Sequence, residues 1–342
     1  MAYENPTATA LQDRQEVEDV VVSMEAHLRT QVDAVFQDTW KQQATFIEGL
    51  FEQYAPEVSE EKRLVAQLLG ATGLTFIAER YGIDEHHPRI YSGNYEQRVL
   101  AAYHHLGHSA GFIENAFMYG TAVNKVRPGT YDSTAFLHFP IIGAYHDPIM
   151  GNGRGNDERQ SAILGSEMFM RLGFLLTPDE ETREGILATG WNPKRKQQSV
   201  DPTRPHLEYQ VASGVSDLLP LNDRRGPYQT ICCIVEDMTK KMHGQVLTRV
   251  ANEKHISLAG IGVNDCLDII DHSDTLHAAF GKILKGQTAF YEQFTPADPG
   301  LDELFPGRPK NIAFLGTINS AYAAGKIGAR QALAMAKEYQ AA

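Results

Sequence analysis

Apolar residues recur along this chain at spacings of three and four, the period of one helix face. Between residues 11 and 40, Val17, Val20, Val21, Met24 and Leu28 share such a face. Residues 60–82 repeat the pattern and end at Gly82, a residue suited to stopping a helix. Residues 82–93 are polar and contain Pro88, which predicts a loop. A longer helix is expected over 95–119, where Leu100, Tyr103, Leu106, Ala110, Ile113 and Phe117 return at helical spacing. The segment 127–134 breaks the chain ahead of the apolar run 135–147. That run reads as a short buried helix, although its β-branched Ile141-Ile142 pair also allows a strand.

Helical periodicity resumes in 157–173. Residues 177–191 open with Thr177 as a helix N-cap, Pro178 at the first helical position and acids in the first turn. Residues 206–221 predict a further helix, and the pattern stays helical from 228 to residue 340. The exception is 311–316, whose Asn-Ile-Ala-Phe-Leu-Gly run fits a short strand. Sustained apolar–polar alternation is missing, and no internal repeat or low-complexity tract stands out. The expected fold class is therefore all-α.

Composition narrows the function classes. The chain has 342 residues, 42 % apolar and 22 % charged, enough for one large or two ordinary domains with a sizeable core. It contains no run of 18 apolar residues, so no transmembrane helix or membrane partner is expected. The first twenty residues lack a basic stretch followed by an apolar one, which excludes a signal peptide there. A net charge of −12 argues against a broad nucleic-acid-binding face. The basic cluster at 192–198 reads either as a solvated loop or as a cationic rim for an anionic small molecule. Cys232, Cys233 and Cys266 form no CxxC pair and fit free thiols in a reducing cytoplasm.

The histidines are more informative, since five of the 13 lie between 104 and 146. His104 and His108 are four apart on a predicted helix and so share a face, a common beginning of a metal site and equally a common surface or core pair. His146 and Asp147 close the apolar run. Neighbours within a helix point about 100° apart, whereas at a helix terminus their side chains can converge. Together they offer nitrogen and oxygen ligands of the kind Mn, Fe, Mg or Zn accept. Asp217 stands between Val215 and Leu218, where an unpaired buried charge is expensive. It belongs either to the polar side of its helix or to a metal. The glycine-rich 151–155 and 323–330 lack the spacing of a phosphate-binding loop, and His86-His87 beside Pro88 reads as surface.

The segments YHHLGH (103–108), AYHDPIM (144–150), NDERQSA (156–162), ILATGW (186–191) and SDLLPL (216–221) follow one another in a telling order. That order resembles a group of predicted phosphohydrolases of the HD superfamily. In that group Tyr-His-Asn-Leu-x-His precedes an apolar His-Asp run, an Asn-Glu-x-x-Ser-Ala helix start, an Ala-Thr helix end and an Asp in an apolar helix. The resemblance covers about 96–226 and implies an HD-type helical core there, while periodicity makes the flanks, 1–95 and 227–342, helical regions outside it. Departures are His105 in place of Asn, Asp157-Glu158 in place of Asn-Glu, and Gly190 where a Lys often follows.

The resemblance implies that His108, His146, Asp147 and Asp217 bind a divalent metal (Mn, Fe, Mg, Zn or Ni). It also implies that His104 protonates a leaving oxygen and that Glu158 lies near the attacking water or behind a ligand. The plain alternative for Glu158 is a carboxylate favoured by the helix dipole. Thr189 and the nearby Arg154, Arg159, Lys194 and Arg195 are the candidate substrate contacts. Residues 148–216 hold a single histidine, His206, so one metal per chain is expected rather than a His-rich binuclear centre. The implied activity is hydrolysis of a small phosphorylated molecule, such as a nucleotide. Its alternatives are an HD-type iron oxygenase and a non-catalytic sensor or scaffold, with the helical flanks as a homo-oligomer surface.

Overall fold

A computed structural model describes residues 34–84, 86–92, 98–150, 156–172, 174–175, 177–192, 197–218, 225–242 and 245–342. Among them the chain is all-α, with two short antiparallel hairpins as its only sheets. The first half contains α1 (Ala34–Tyr54), α2 (Glu60–Tyr81), β1 (Ile90–Ser92), β2 (Arg98–Leu100), α3 (Leu106–Val126) and α4 (Ser133–Tyr145). It continues through α5 (Asn156–Arg171), α6 (Glu180–Thr189), β3 (Trp191–Asn192), β4 (Gln197–Gln198) and α7 (Leu207–Leu218). The second half is α8 (Arg225–Lys241), α9 (Gln245–Lys254), α10 (Val263–Asp271), α11 (Asp274–Gln293), α12 (Leu301–Leu304), α13 (Arg308–Ala323) and α14 (Ala329–Ala341). Of the predicted face over 11–40, Val17 to Leu28 lie outside the described residues.

Several boundaries follow directly from residue chemistry. Gly82 ends α2 at a φ of 100°, and its N–H donates to Ala78 O at 3.0 Å. A side chain there would run into the backbone of Pro88 and Arg89, so the turn requires glycine. Asp132 caps α4 by accepting from the N–H groups of Thr134 and Ala135 at 2.8 and 3.0 Å. The apolar run that permitted helix or strand is the helix α4. It is buried on nearly every side and keeps Pro140 in its interior. A helix apolar all round belongs in a core, and α4 packs between α2, α3 and α6.

Three expectations are corrected. The helix predicted over 95–119 begins only at Leu106. Its first part is β2, paired with β1 in the register Ile90 to Leu100, and a turn follows. Backbone partners distant in sequence capture this segment: beyond the hairpin pairing, Ala101 N–H donates to Arg89 O at 2.9 Å. Periodicity cannot register such partners. Second, α6 is capped not by Thr177 but by Asp179, whose carboxylate accepts from Thr182 N–H at 2.8 Å. Asp outranks Thr as a cap, and the helix starts two residues later. Third, 311–316 lies inside α13, because packing of Leu315 and Ile318 on α11 and α8 overrides a short β-branched signal.

Two apolar clusters organise the chain. One is built by α1–α7 and takes in Leu301, so the helices before and after residue 95 share a core. The other is built by α8–α11, α13 and α14, together with Leu100 and Ala102 beside the first hairpin. Within the first cluster α3 and α4 approach closely at Gly143, where any Cβ would collide with Ile113 and lie 2.8 Å from Phe112 Cδ1. We expect Gly143→Ala to destabilise the fold by about 1–3 kcal/mol, the usual effect of overpacking. Urea denaturation checks this, with a lowered midpoint at unchanged slope as the expected result.

Candidate metal centre

The Gly143 contact fixes where two histidines meet. His108 is the third residue of α3, and His146 caps the C-terminus of α4 with φ −73° and ψ −31°. Both rings are buried. The Nδ1 of His146 lies 2.8 Å from Gly143 O. A carbonyl only accepts, so this nitrogen carries a proton and Nε2 is turned toward the cluster. Phe112 stacks on the ring at 4.5 Å and holds its plane.

The Nε2 atoms of His108 and His146 are 3.1 Å apart. Asp147 Oδ2 lies 2.8 Å from the His146 nitrogen and 3.3 Å from the His108 nitrogen. Asp217, the penultimate residue of α7, brings Oδ1 to 3.6 Å from His108 Nε2. One ligand atom from each of His108, His146 and Asp217 lies within 4.8 Å of the others, close enough to share an ion. The second oxygen of Asp217 accepts from Gln198 Nε2 at 2.8 Å. Behind the pair, the Tyr81 hydroxyl donates to Pro148 O at 3.0 Å and ties the chain after Asp147 to α2.

The electrostatics of these groups are those of a cation site. Burial pushes the His108 imidazole down to about 4, keeping it a neutral donor at physiological pH. Burial acts on His146 in the same direction, but the adjoining Asp147 carboxylate outweighs it and lifts the pKa to about 9. Asp147 is held well below the carboxylate range, with the histidines overcoming the effect of burial. Burial lifts Asp217 to about 6. Two carboxylates thus converge on two inward-facing imidazoles, and a proton on His146 partly balances them. A divalent cation at the point shared by His108, His146 and Asp217 would balance them as well, with Asp147 beside it. The donor set therefore fits a metal of the nitrogen-and-oxygen-binding kind.

His104 is not on the His108 helix face. It sits in the turn ahead of α3, with Nε2 4.0 Å from Asp147 Oδ2. Its position is set by Glu236 of α8, a residue the sequence reading missed. Glu236 Oε1 is 2.7 Å from His104 Nδ1, and Oε2 accepts from Tyr103 and His104 N–H at 2.9 and 3.1 Å. Lys240, one turn further along α8, stands 3.4 Å from Oε1. A Glu inside the apolar run ICCIVEDM was the available clue, by the same reasoning that drew attention to Asp217.

Glu158 lies in the first turn of α5 beside Gly190, whose added Cβ would be 3.5 Å from Glu158 Cγ. Arg159 Nη2 donates to Asn156 Oδ1 at 2.9 Å. The Thr189 hydroxyl donates to Ile186 O in its own helix at 2.8 Å. Arg154, Lys194 and Arg195 lie outside the described residues. Comparison with protein-family models, with curated proteins and with solved structures gave no match, so the reading of the site rests on its geometry.

The Glu236–His104 pair makes a pH prediction. Burial opposes both charges, but each partner more than compensates for the other. The Glu236 carboxyl is lowered below 4.5 and the His104 imidazole raised above 6.5. A lowered carboxylate contributes stability above its unfolded pKa and loses it as pH falls from about 4.5. A raised imidazole contributes fully below 6.5 and loses that contribution as pH rises through its folded pKa. In chelator-treated protein the stabilisation from the pair is therefore greatest between about pH 4.5 and 6.5. Melting temperature measured against pH in wild type and Glu236→Gln checks this, with smaller losses on both sides of the window expected in the variant.

Proposed function

We propose that this chain is a metal-dependent phosphohydrolase of the HD type acting on a small phosphorylated molecule. The observation that carries the reading is the convergence of His108, His146, Asp147 and Asp217 with a separately anchored His104 at the rim. A bound divalent ion supplies Lewis acidity toward a phosphoryl oxygen and lowers the pKa of a bound water.

The protein's own groups then have distinct tasks. His108 and His146 are buried, while Asp147 and Asp217 keep part of their surface open to solvent, so substrate approaches from the carboxylate side. His104 is the proton donor to the leaving oxygen. Glu236 occupies its Nδ1 and raises the ring's affinity for a proton, leaving Nε2–H facing the same side as Asp147. Glu236 also pins the backbone of His104, so the ring is oriented before substrate arrives. Gln198 keeps one oxygen of Asp217 occupied and the other directed at His108.

Metal analysis of the purified chain combined with a screen of phosphorylated metabolites tests the proposal. His146→Ala is expected to lose both metal and hydrolysis. His104→Gln is expected to keep its metal while kcat falls by about 10²–10⁴, the ordinary contribution of a general acid. Unchanged metal content and activity in His146→Ala would overturn the reading. A metal-loaded wild type that turns over no compound in the screen supports the non-catalytic sensor instead.

A further inference from the structure

A second group of convergent donors lies near the middle of α4. His138 is eight residues before His146, about 12 Å along the helix. Its ring is buried, with 4 % of its surface exposed, and is flanked by Tyr209 at 5.3 Å and Phe169 at 5.7 Å. Its Nδ1 lies 2.7 Å from Thr134 O and must donate there. As in His146, a helix carbonyl therefore fixes the tautomer and turns Nε2 inward.

That Nε2 faces the carboxylate of Asp179, at 3.3 Å from each oxygen. A charge-assisted hydrogen bond between such groups is usually about 2.7–2.9 Å long. A separation near 3.3 Å is instead the edge expected between two ligands of a tetrahedral ion with bonds of about 2.0 Å. Glu181 joins the group, with ligand atoms of His138, Asp179 and Glu181 all within 4.8 Å of one another. His206 follows, its Nδ1 3.8 Å from Glu181 Oε1. The neighbouring cations are engaged elsewhere: Arg183 pairs with Glu180, and Arg204 with Glu184 and Asp201.

We propose that His138, Asp179 and Glu181 form a second, structural site for a zinc-like divalent cation, with His206 beside Glu181 drawn in as the fourth ligand on binding. The two carboxylates balance a doubly charged ion and offset the helix N-terminal dipole that would otherwise repel it. Glu181 and His206 retain about a third of their side-chain surface, which gives an ion its way in. The ion joins the middle of α4, the N-terminus of α6 and the segment leading into α7. His206 adopts a left-handed φ of 58° just before α7, the helix that carries Asp217. The site thus braces the two helices that lead to His146 and Asp217.

The test uses the full chain, stripped with chelator and dialysed against Zn²⁺ alone. Glu181→Gln and His206→Asn remove ligands without emptying the core, and Asn tolerates the left-handed backbone. Wild type is expected to hold about one equivalent of Zn²⁺ more than either variant, and Zn²⁺ is expected to raise its melting temperature further. His146→Ala with Asp217→Asn should lose a different equivalent and keep this one. If the α3–α4 cluster binds nothing, wild type carries about one equivalent and His206→Asn still loses it. Equal Zn²⁺ content in wild type, Glu181→Gln and His206→Asn would overturn the proposal and leave His138–Asp179 as an ion pair only.

Discussion

The closeness of α3 to α4 at Gly143 governs the geometry of the whole site. With no side chain at that point, Phe112 and Ile113 press against the α4 backbone. The same contact places Phe112 on the face of His146 and brings the His146 and His108 nitrogens to 3.1 Å. Ordinary helix interfaces keep side chains between axes 8–10 Å apart, and at Gly143 one of them is missing. Packing and candidate chemistry are therefore one problem here, solved by one missing methyl group.

A second constraint comes from charge. The α3–α4 cluster concentrates carboxylates and imidazoles in a largely buried space, and each needs a partner there. Asp147 finds His146, Asp217 finds Gln198, and His104 finds Glu236. The last pair has a structural consequence beyond the site. Glu236 comes from α8, in the second apolar cluster, and grips the turn leading into α3, in the first. The C-terminal helices thereby take part in orienting a residue some 130 positions earlier, instead of acting as a detached appendage.

Much of the architecture was legible in the sequence because helix periodicity is local. Residues 60–82, 157–173 and 206–221 carry their apolar faces and stop signals within a few turns, and each is a helix at nearly those limits. His146 and Asp147 were legible as a pair because a polar doublet closing an apolar run is unusual, and Asp217 because a carboxylate among apolar neighbours demands a partner. The reading failed where the deciding interaction was distant. Residues 98–105 have helical spacing, but the Ala101 N–H is claimed by Arg89 O, and the Tyr103 and His104 N–H groups and the His104 ring by Glu236. Asp179 displaced Thr177 as a cap by a choice between two local signals that periodicity does not rank.

By itself, then, the sequence determined the all-α class and most helix limits, because these follow from residue type and near neighbours, while a family resemblance singled out His108, His146, Asp147 and Asp217 as candidate ligands. Tertiary structure decided that these residues converge, that His104 stands off the His108 helix, and that Glu236 and Gln198 hold the two rims. It also decided that His138 meets Asp179 and Glu181, with His206 beside Glu181. Distances of 3.1 and 2.7 Å between residues 38 and 132 positions apart depend on how helices pack, and packing is settled by the whole core at once.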